Sequence, residues 1–575
     1  MSHGSRCLGQ LLCLLLGSGP TAEAAGRVVM VSFDGLGHEI LTRDPAAVPL
    51  RAFAAVRRAG TTFQGVQPHF PSTTPNSHAA IYTGVYGDVS GISFPEIPRW
   101  PRPEHGFRER LSGFRSDGLR AEPIWVTAAR QGKRVVAHQV TQAYPFRPEN
   151  TQRLAVVVNG YQTETIAPWT LTAVVDGTVW QSGPYRFQFH LGGSGGHVRL
   201  LPDGPSVPVK AAPMESSPPR NRRLARFFSP MLALPGERPL GVHFRLFDRA
   251  GSLRLLQTSI QELALHDGAA RNDGLVRELL QAVGAFTGNG AMLLHSGGQL
   301  TAEEYLETVE FQIQQATAHA AWLERRFQPQ LFLGYLPFPD ETDHTWLGRD
   351  RFGDATARRY RGWAYEAINR GAEVFAGLAG RADSLLFVSD HGMTPVRHMV
   401  NMRVLLEEHG LADLVAYLSQ AFLVNGEEWR GGRVAGEDQP GILDRLRRAL
   451  LALRDPESGD PVVTGIYSPA EHSARYGIGG PVGGDLYFDL APGWMAGYSG
   501  QAPLVSPIEP YGTHGFLPTR PDMLAIALGR GPQFAPGAEY PQIRAVALAP
   551  LVAELLGIAP PPLAKEPSPL ALRRP

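Results

Sequence analysis

Four short segments of the chain bring together carboxylates and imidazoles in a pattern that suits metal chemistry. They are Asp34-Gly35, Asp340-Glu341-Thr342-Asp343-His344, Asp390-His391-Gly392-Met393 and Thr513-His514-Gly515-Phe516. A fifth, Pro71-Ser72-Thr73-Thr74-Pro75-Asn76-Ser77-His78 with Thr83-Gly84 after it, supplies hydroxyls. Aspartate oxygens and histidine nitrogens together suit zinc, with manganese or iron as alternatives. Taken singly, an Asp-His pair is more often an ion pair or a helix cap. The joint occurrence of these segments raises the odds. A threonine hydroxyl is neutral at pH 7 and becomes a nucleophile only beside a metal or a base.

The elements around these residues explain how they could meet. Val28-Val29-Met30-Val31-Ser32-Phe33 is a short apolar run rich in β-branched residues that stops at Asp34. It reads as a buried strand. Leu331 to Leu336 leads to Asp340 and Leu385 to Ser389 leads to Asp390 in the same way, with a helical pattern from Ala302 to Phe327 between them. Buried strands alternating with helices imply an α/β fold with a mainly parallel central sheet flanked by helices. Ligands of such sheets bind beyond the carboxyl ends of the strands, where all three aspartates fall.

Residues 153–261 differ. Leu154-Ala155-Val156-Val157-Val158, Leu171 to Val175 and Tyr185 to His190 read as strands separated by turn residues, and Asp248-Arg249-Ala250-Gly251 reads as the turn of a hairpin. This stretch is expected to be a β-rich insertion between core segments 26–152 and 262–558. Pro213 to Arg223 is expected to be an exposed loop. Residues 559–575, opening with Ala559-Pro560-Pro561-Pro562, look like an extended Pro-rich tail.

The motif set resembles the alkaline phosphatase superfamily, and within it the type I phosphodiesterase / nucleotide pyrophosphatase branch. The stretch Phe70-Pro71-Ser72-Thr73-Thr74, with His78-Ala79-Ala80 and Thr83-Gly84, is similar to the family's nucleophile segment. Counted back without gaps from Thr83-Gly84, the nucleophile falls on Thr74, with Thr73 as the neighbouring alternative. The resemblance implies an alkaline-phosphatase-like core and two zinc ions. Carried over, Asp340, His344 and His514 hold one ion, while Asp34, Asp390 and His391 hold the other with Thr74 bridging to it. The implied activity is hydrolysis of small phosphate esters through a phospho-threonine intermediate.

Physical reasoning points the same way. Pro75 suits the first turn of a helix running on to Thr83, whose amides and partial positive charge favour an alkoxide and an incoming phosphate. Three aspartates and one alkoxide balance two divalent cations, so an anionic ester is not repelled. Two ions about 4 Å apart can steady both attacking and leaving oxygens of an in-line displacement. No Lys or Arg occurs in Asp34-Gly35, Thr74 to Thr83 or Asp390 to Thr394, so a singly charged diester is favoured over a dianionic monoester. The sequence departs from the branch in two places. Asp343 stands where a glycine of the Asp-x-x-Gly-His motif is usual, and Gly91-Ile92 is followed by Ser93-Phe94-Pro95 instead of a stretch with an asparagine. Asn76 is the amide closest at hand in sequence, and it reads equally well as a turn residue.

Composition bounds the remaining classes. The chain has 575 residues, 43% of them hydrophobic, enough for two or three units with large cores. Lys plus Arg and Asp plus Glu are 54 each, so there is no signal for nucleic-acid binding. Arg6, the apolar stretch Leu8 to Leu16 and Ala22-Glu23-Ala24-Ala25 make an export signal, 1–25, with cleavage near Ala24 or Ala25 and a periplasmic or secreted product. Both cysteines, Cys7 and Cys13, lie inside it, leaving no thiol chemistry after cleavage. No later segment has the length of a transmembrane helix. A phosphomonoesterase of the same superfamily and an inactive exported metal-containing binding protein are the alternatives. A sulfatase is disfavoured, because no cysteine remains and Ser72 has the wrong neighbours.

Overall fold

The computed structural model describes residues 26–42, 50–147, 153–212, 227–288, 290–500 and 503–570. The expected export signal and the expected 213–223 loop lie outside the described residues. A ten-stranded sheet forms the centre, in the order Ala270–Arg271, Ala264–Asp267, Ala155–Asn159, Val135–His138, Leu331–Leu336, Val28–Phe33, Ser384–Val388, Ala527–Arg530, Thr61–Phe63, Ala538–Tyr540. The five strands from Ala155–Asn159 to Ser384–Val388 run parallel to one another. The three that precede Asp34, Asp340 and Asp390 are adjacent, so their carboxyl ends deliver the aspartates to one edge of the sheet.

Strand alternation builds a core on each face. Val29, Val31 and Phe33 pack with the face of the helices Ala302–Phe327 and Ala355–Ala376, through Val309, Ile313, Ile368 and Phe375. Val28 and Met30 pack on the other side with Ile81, Trp125 and Leu551 from the helices Thr74–Thr83, Ile124–Arg130 and Leu548–Leu556. The long helix Ala302–Phe327 starts with a capping box, Thr301 Oγ1 accepting from Glu304 N and Glu304 Oε2 accepting from Thr301 N.

The β-rich region differs from its expected boundary. Leu154 to Val158 contributes to Ala155–Asn159, which pairs parallel with Val135–His138 and belongs to the central sheet. Ala264–Asp267 returns antiparallel beside it. The separate seven-stranded sheet lies between them, in the order Val179–Ser182, Tyr185–Gly192, Gly195–Leu200, Ser206–Ala212, Phe244–Arg249, Ser252–Gln257, Thr170–Ala173, around Phe187, Phe189 and Phe244. The expected hairpin is present. Arg249 faces Ser252 across a two-residue turn whose Ala250 and Gly251 have φ of 50° and 85°, the backbone of a type I′ turn.

Residues 394–517 form a third layer with its own core of Val396, Met402, Phe422, Leu446 and Phe488. Its strand Val505–Thr513 pairs with Thr394–Asn401 and carries His514 back toward the sheet edge. The Pro-rich tail is no free extension over its described part. Ala564 abuts Gly84 at the end of the Thr74–Thr83 helix, Leu570 packs on the adjacent core, and Glu566 faces Arg544 at 3.5 Å.

Candidate active site

Asp34, Asp340 and Asp390 leave their strands within contact of one another. Gly35, at φ 71°, donates its amide to Asp390 Oδ1 at 3.1 Å. A Cβ at Gly35 would stand 2.9 Å from the Asp340 Cα, so the approach of the two aspartate turns requires glycine. Asp34 Oδ1, Asp390 Oδ2 and His391 Nε2 form one group, with His391 Nε2 3.5 Å from Asp34 and 3.2 Å from Asp390. Asp340 forms the second, 3.3 Å from His344 Nε2 and 3.5 Å from His514 Nε2. His391 stands between the groups, its ring stacked on that of His514 at 3.9 Å, and it also offers a ligand atom to the cluster of Asp340 and His514.

Each imidazole is oriented by a backbone carbonyl. The Nδ1 atoms of His344, His514 and His391 contact the carbonyls of Gly512 at 2.7 Å, Ser72 at 3.0 Å and Gly392 at 2.9 Å. A carbonyl only accepts, so Nδ1 carries the proton and Nε2 presents a lone pair inward. Two buried carboxylate oxygens, Asp340 Oδ1 and Asp390 Oδ2, have no hydrogen-bond donor among the described residues. Carboxylate oxygens and imidazole lone pairs converging in the groups of Asp34, Asp390 and His391 and of Asp340, His391 and His514 suit a divalent cation.

The electrostatics of the bare protein show the same demand. Burial, then the Asp390 and Asp340 carboxylates, push the Asp34 carboxyl well above the usual range, against a hydrogen bond from Tyr335. Burial works in that direction at Asp340 too, but His344 and His514 outweigh it and hold that carboxyl below the usual range. Burial, with His391 adding to it, lowers His514 to about 3, which keeps it neutral and able to ligate.

The helix Thr74–Thr83 is buried along its whole length and begins at this cluster. Thr74 Oγ1 lies 3.4 Å from Asp34 Oδ1 and 3.2 Å from His391 Nε2. The Thr73 hydroxyl turns away and donates to Asn76 Oδ1. That bond leaves the first turn without a side-chain cap. The Asn76 amide is consumed locally, by His69 Nδ1, Pro71 O and Ser93 O at 2.8, 2.7 and 3.2 Å. It fixes the turn before Thr74 and is not available to a substrate.

Asp343 is explained by the neighbouring helix. It points away from His344 and binds Arg361 at 2.8 and 3.1 Å and the Tyr365 hydroxyl at 2.8 Å, all buried. Its carboxylate is spent on that ion pair, outside the metal-binding group.

Four further residues support the site without having been singled out as ligands. Tyr335 donates to Asp34 Oδ2 at 2.6 Å. His78 Nδ1 lies 2.9 Å from the Thr74 carbonyl and 3.3 Å from Asp390 Oδ2, while its Nε2 pairs with Ser32 Oγ at 2.8 Å. Gln142, in the left-handed region at φ 55°, donates through Nε2 to Pro75 O at 3.0 Å and Gly113 O at 2.7 Å. The pairing of Ser32 with His78 follows from strand alternation, which turns Ser32 to the same face as Val28 and Met30. The contact of His78 with the Thr74 carbonyl is one helical turn long, whereas those of His78 with Asp390, Tyr335 with Asp34 and Gln142 with Pro75 join segments far apart in sequence and leave no local signal. Tyr335 also walls a cleft of about 300 Å³ shared with Phe114, Arg115, Tyr161 and Gln162.

The model of the type I phosphodiesterase / nucleotide pyrophosphatase family matches residues 28–219 and 263–517. The chain belongs to this family. It is therefore a hydrolase of the phosphodiesterase / nucleotide pyrophosphatase type. Human ectonucleotide pyrophosphatase / phosphodiesterase 5 is similar in structure, with a TM-score of 0.50 and 14% identity over 93% of this chain and 96% of that one. Its murine counterpart gives 0.48 at 14% identity, with the same coverage. No curated protein sequence matches at a significant level. The likeness to the human protein shows the shared alkaline-phosphatase-like α/β fold. No helix among the described residues is long and apolar enough to cross a membrane.

Proposed function

We propose that the chain is an exported two-metal phosphodiesterase in which Thr74 is the nucleophile. The observation that carries this reading is the placement of the Thr74 hydroxyl at 3.4 Å from Asp34 and 3.2 Å from His391, at the uncapped start of a buried helix. Asp34, Asp390 and His391 would hold one divalent ion and Asp340, His344 and His514 the other, zinc being the best match to mixed nitrogen and oxygen ligands. Such ions supply Lewis acidity and positive charge where an alkoxide and a leaving oxygen develop. The chain's own groups do the rest. Thr74 Oγ, its proton released to solvent, bonds to phosphorus as the P–O bond to the leaving group breaks with its electron pair on the leaving oxygen, giving a phospho-threonine that keeps the other ester substituent until water cleaves it. The first-turn amides receive phosphoryl oxygens. His78 holds the Thr74 carbonyl and Asp390 together, and Tyr335 fixes Asp34.

A diester is favoured over a monoester because the arginines described beside the two ligand groups are already paired and leave no cation for a second negative charge on the phosphoryl group. Arg361 is consumed by Asp343 and Asp350, and Arg115, in the cleft beside Tyr335, is held by Asp117 at 2.8 Å. That cleft offers space for the ester substituent that stays on phosphorus. The test is kcat/KM for a matched aryl monoester and aryl diester on one preparation. The diester is expected to be the better substrate by about tenfold or more, since desolvating a dianion costs more. A higher value for the monoester overturns the diester assignment.

A further inference from the structure

In-line displacement sends the leaving oxygen away from Thr74, and so away from the group of Asp34 and His391 toward that of His344 and His514. From there the chain leads to a second cleft. Gln420 borders the rim: a Cβ at Gly515, next to His514, would stand 3.1 Å from Gln420 Oε1 and 3.6 Å from the Thr73 methyl. Ser419 and Gln420 are both in the left-handed region, at φ 38° and 61°, which turns this segment inward at the rim. Beyond Ser419 opens a cleft of about 590 Å³, bounded by Phe94, Glu96, Arg108, Arg110, Tyr417 and Tyr498.

The lining of this cleft has two chemical characters. Tyr417 and Tyr498 lie with rings parallel to within 2°, centroids 6.2 Å apart, and Phe94 stands as a third aromatic wall backed by Tyr487 at 5.9 Å. Two guanidiniums face one carboxylate, that of Glu96. Arg110 uses only Nη1 in the protein, toward Phe107 O at 2.6 Å and Glu109 O at 3.2 Å, and no carboxylate among the described residues is within ion-pair distance of it. Burial lowers its pKa to about 10; Glu96 opposes the shift and Arg108 adds to it. Arg108 donates to Ala412 O at 2.5 Å, with Asp413 no nearer than 3.9 Å. An anion set between these arginines would supply the acceptor that Nη2 and Nε of Arg110 lack.

We propose that this cleft is the leaving-group subsite, and that it takes a substituent bearing both a planar ring and a negative charge. The assignment rests on the diester reading above. The ester P–O bond breaks with its electron pair going to the leaving oxygen, while Thr74 Oγ takes its place on phosphorus. The ring of the departing group then lies among Phe94, Tyr417 and Tyr498, and its charge lies against Arg110 and Arg108.

Two esters test this, methyl 4-nitrophenyl phosphate and methyl 3-carboxy-4-nitrophenyl phosphate, which differ only in a carboxylate on the leaving ring. The wild-type protein is expected to favour the carboxylated ester in kcat/KM by about tenfold, the worth of a hydrogen bond to a charged group. In Arg110→Gln that ratio falls toward one, and in the more exposed Arg108→Gln it falls part of the way. A ratio near one in the wild type, or one that survives both substitutions, overturns the proposal. A readout without turnover separates this outcome from failure of the diester reading. The free leaving group, 5-hydroxy-2-nitrobenzoate, is titrated by absorbance into wild type and each variant. About tenfold weaker binding to Arg110→Gln supports the subsite even in a protein that hydrolyses neither ester. Equal binding to wild type and both variants overturns the subsite.

Discussion

Two groups of histidines in this chain behave oppositely. His344, His391 and His514 each lie beside an aspartate oxygen, with Nδ1 on a carbonyl and Nε2 turned to a shared centre. His138 and His319, with ring centroids 6.2 Å apart, are fully buried, as His391 is, whereas His344 and His514 keep 18% and 15% of their side chains exposed. No carboxylate lies within ion-pair distance of either among the described residues, and neither ring nitrogen of His138 has a partner there. Burial, with His319 adding to it, lowers His138 well below the ordinary imidazole value, and burial lowers His319 to about 4. Burial alone therefore makes an imidazole neutral. Convergent carboxylates make it part of a candidate cation site.

The sharpest break of this comparison is at the nucleophile. Thr74→Ala should lower turnover by at least about a thousandfold while leaving thermal stability nearly unchanged, because it removes one hydroxyl beside the ligands. Thr73→Ala, which removes only the bond to Asn76, should cost about tenfold or less. The opposite order in steady-state kinetics would move the nucleophile to Thr73.

Substitution of one histidine from each group sharpens the contrast. His514→Ala is expected to lower bound metal by about one ion per chain and activity by about a hundredfold or more, from the loss of a direct ligand. His319→Gln should leave metal content at the wild-type level and lower the melting temperature. Metal analysis showing equal content in both variants would erase the distinction.

A further effect is on acid stability. His69 at about 3, His243 and His319 at about 4, and His138 lie below the imidazole value of 6.5 in the folded chain. The unfolded chain therefore binds protons first as pH falls. Stability present above about pH 6.5 declines below it, and the loss continues down through the folded values. Each of these histidines contributes a slope of about 1.4 kcal/mol per pH unit between pH 6 and 5. Denaturant midpoints that stay flat across this interval would contradict their neutrality.

Much of the site was legible because its residues follow strands. The apolar runs before Asp34, Asp340 and Asp390 carry the parallel fold and its ligand edge together, and the helix 302–327 and the Ala250-Gly251 turn follow from periodicity and turn chemistry. Strand partnership was not legible. Leu154 to Val158 reads as a strand in any sheet, and only Val135–His138 beside it places it in the central one. Asp343 shows a further limit. It lies three residues after Asp340 and one before His344 on the same helix. Only the partner helix, with Arg361 and Tyr365, shows which flank it occupies. Tyr335 and Gln142 act through contacts between distant segments, for which a single sequence holds no pattern.

The claim on which the account turns is that Thr74 takes the phosphoryl group. Protein mixed with an aryl diester, quenched in acid during turnover and digested, can be read by mass spectrometry for the peptide that contains Thr73 and Thr74. An adduct in which Thr74 Oγ carries the phosphoryl group with its remaining ester substituent, a phosphodiester of Thr74, is expected in the wild type and is absent from Thr74→Ala. An adduct on Thr73, or full turnover with no adduct on any threonine of that peptide, would contradict it.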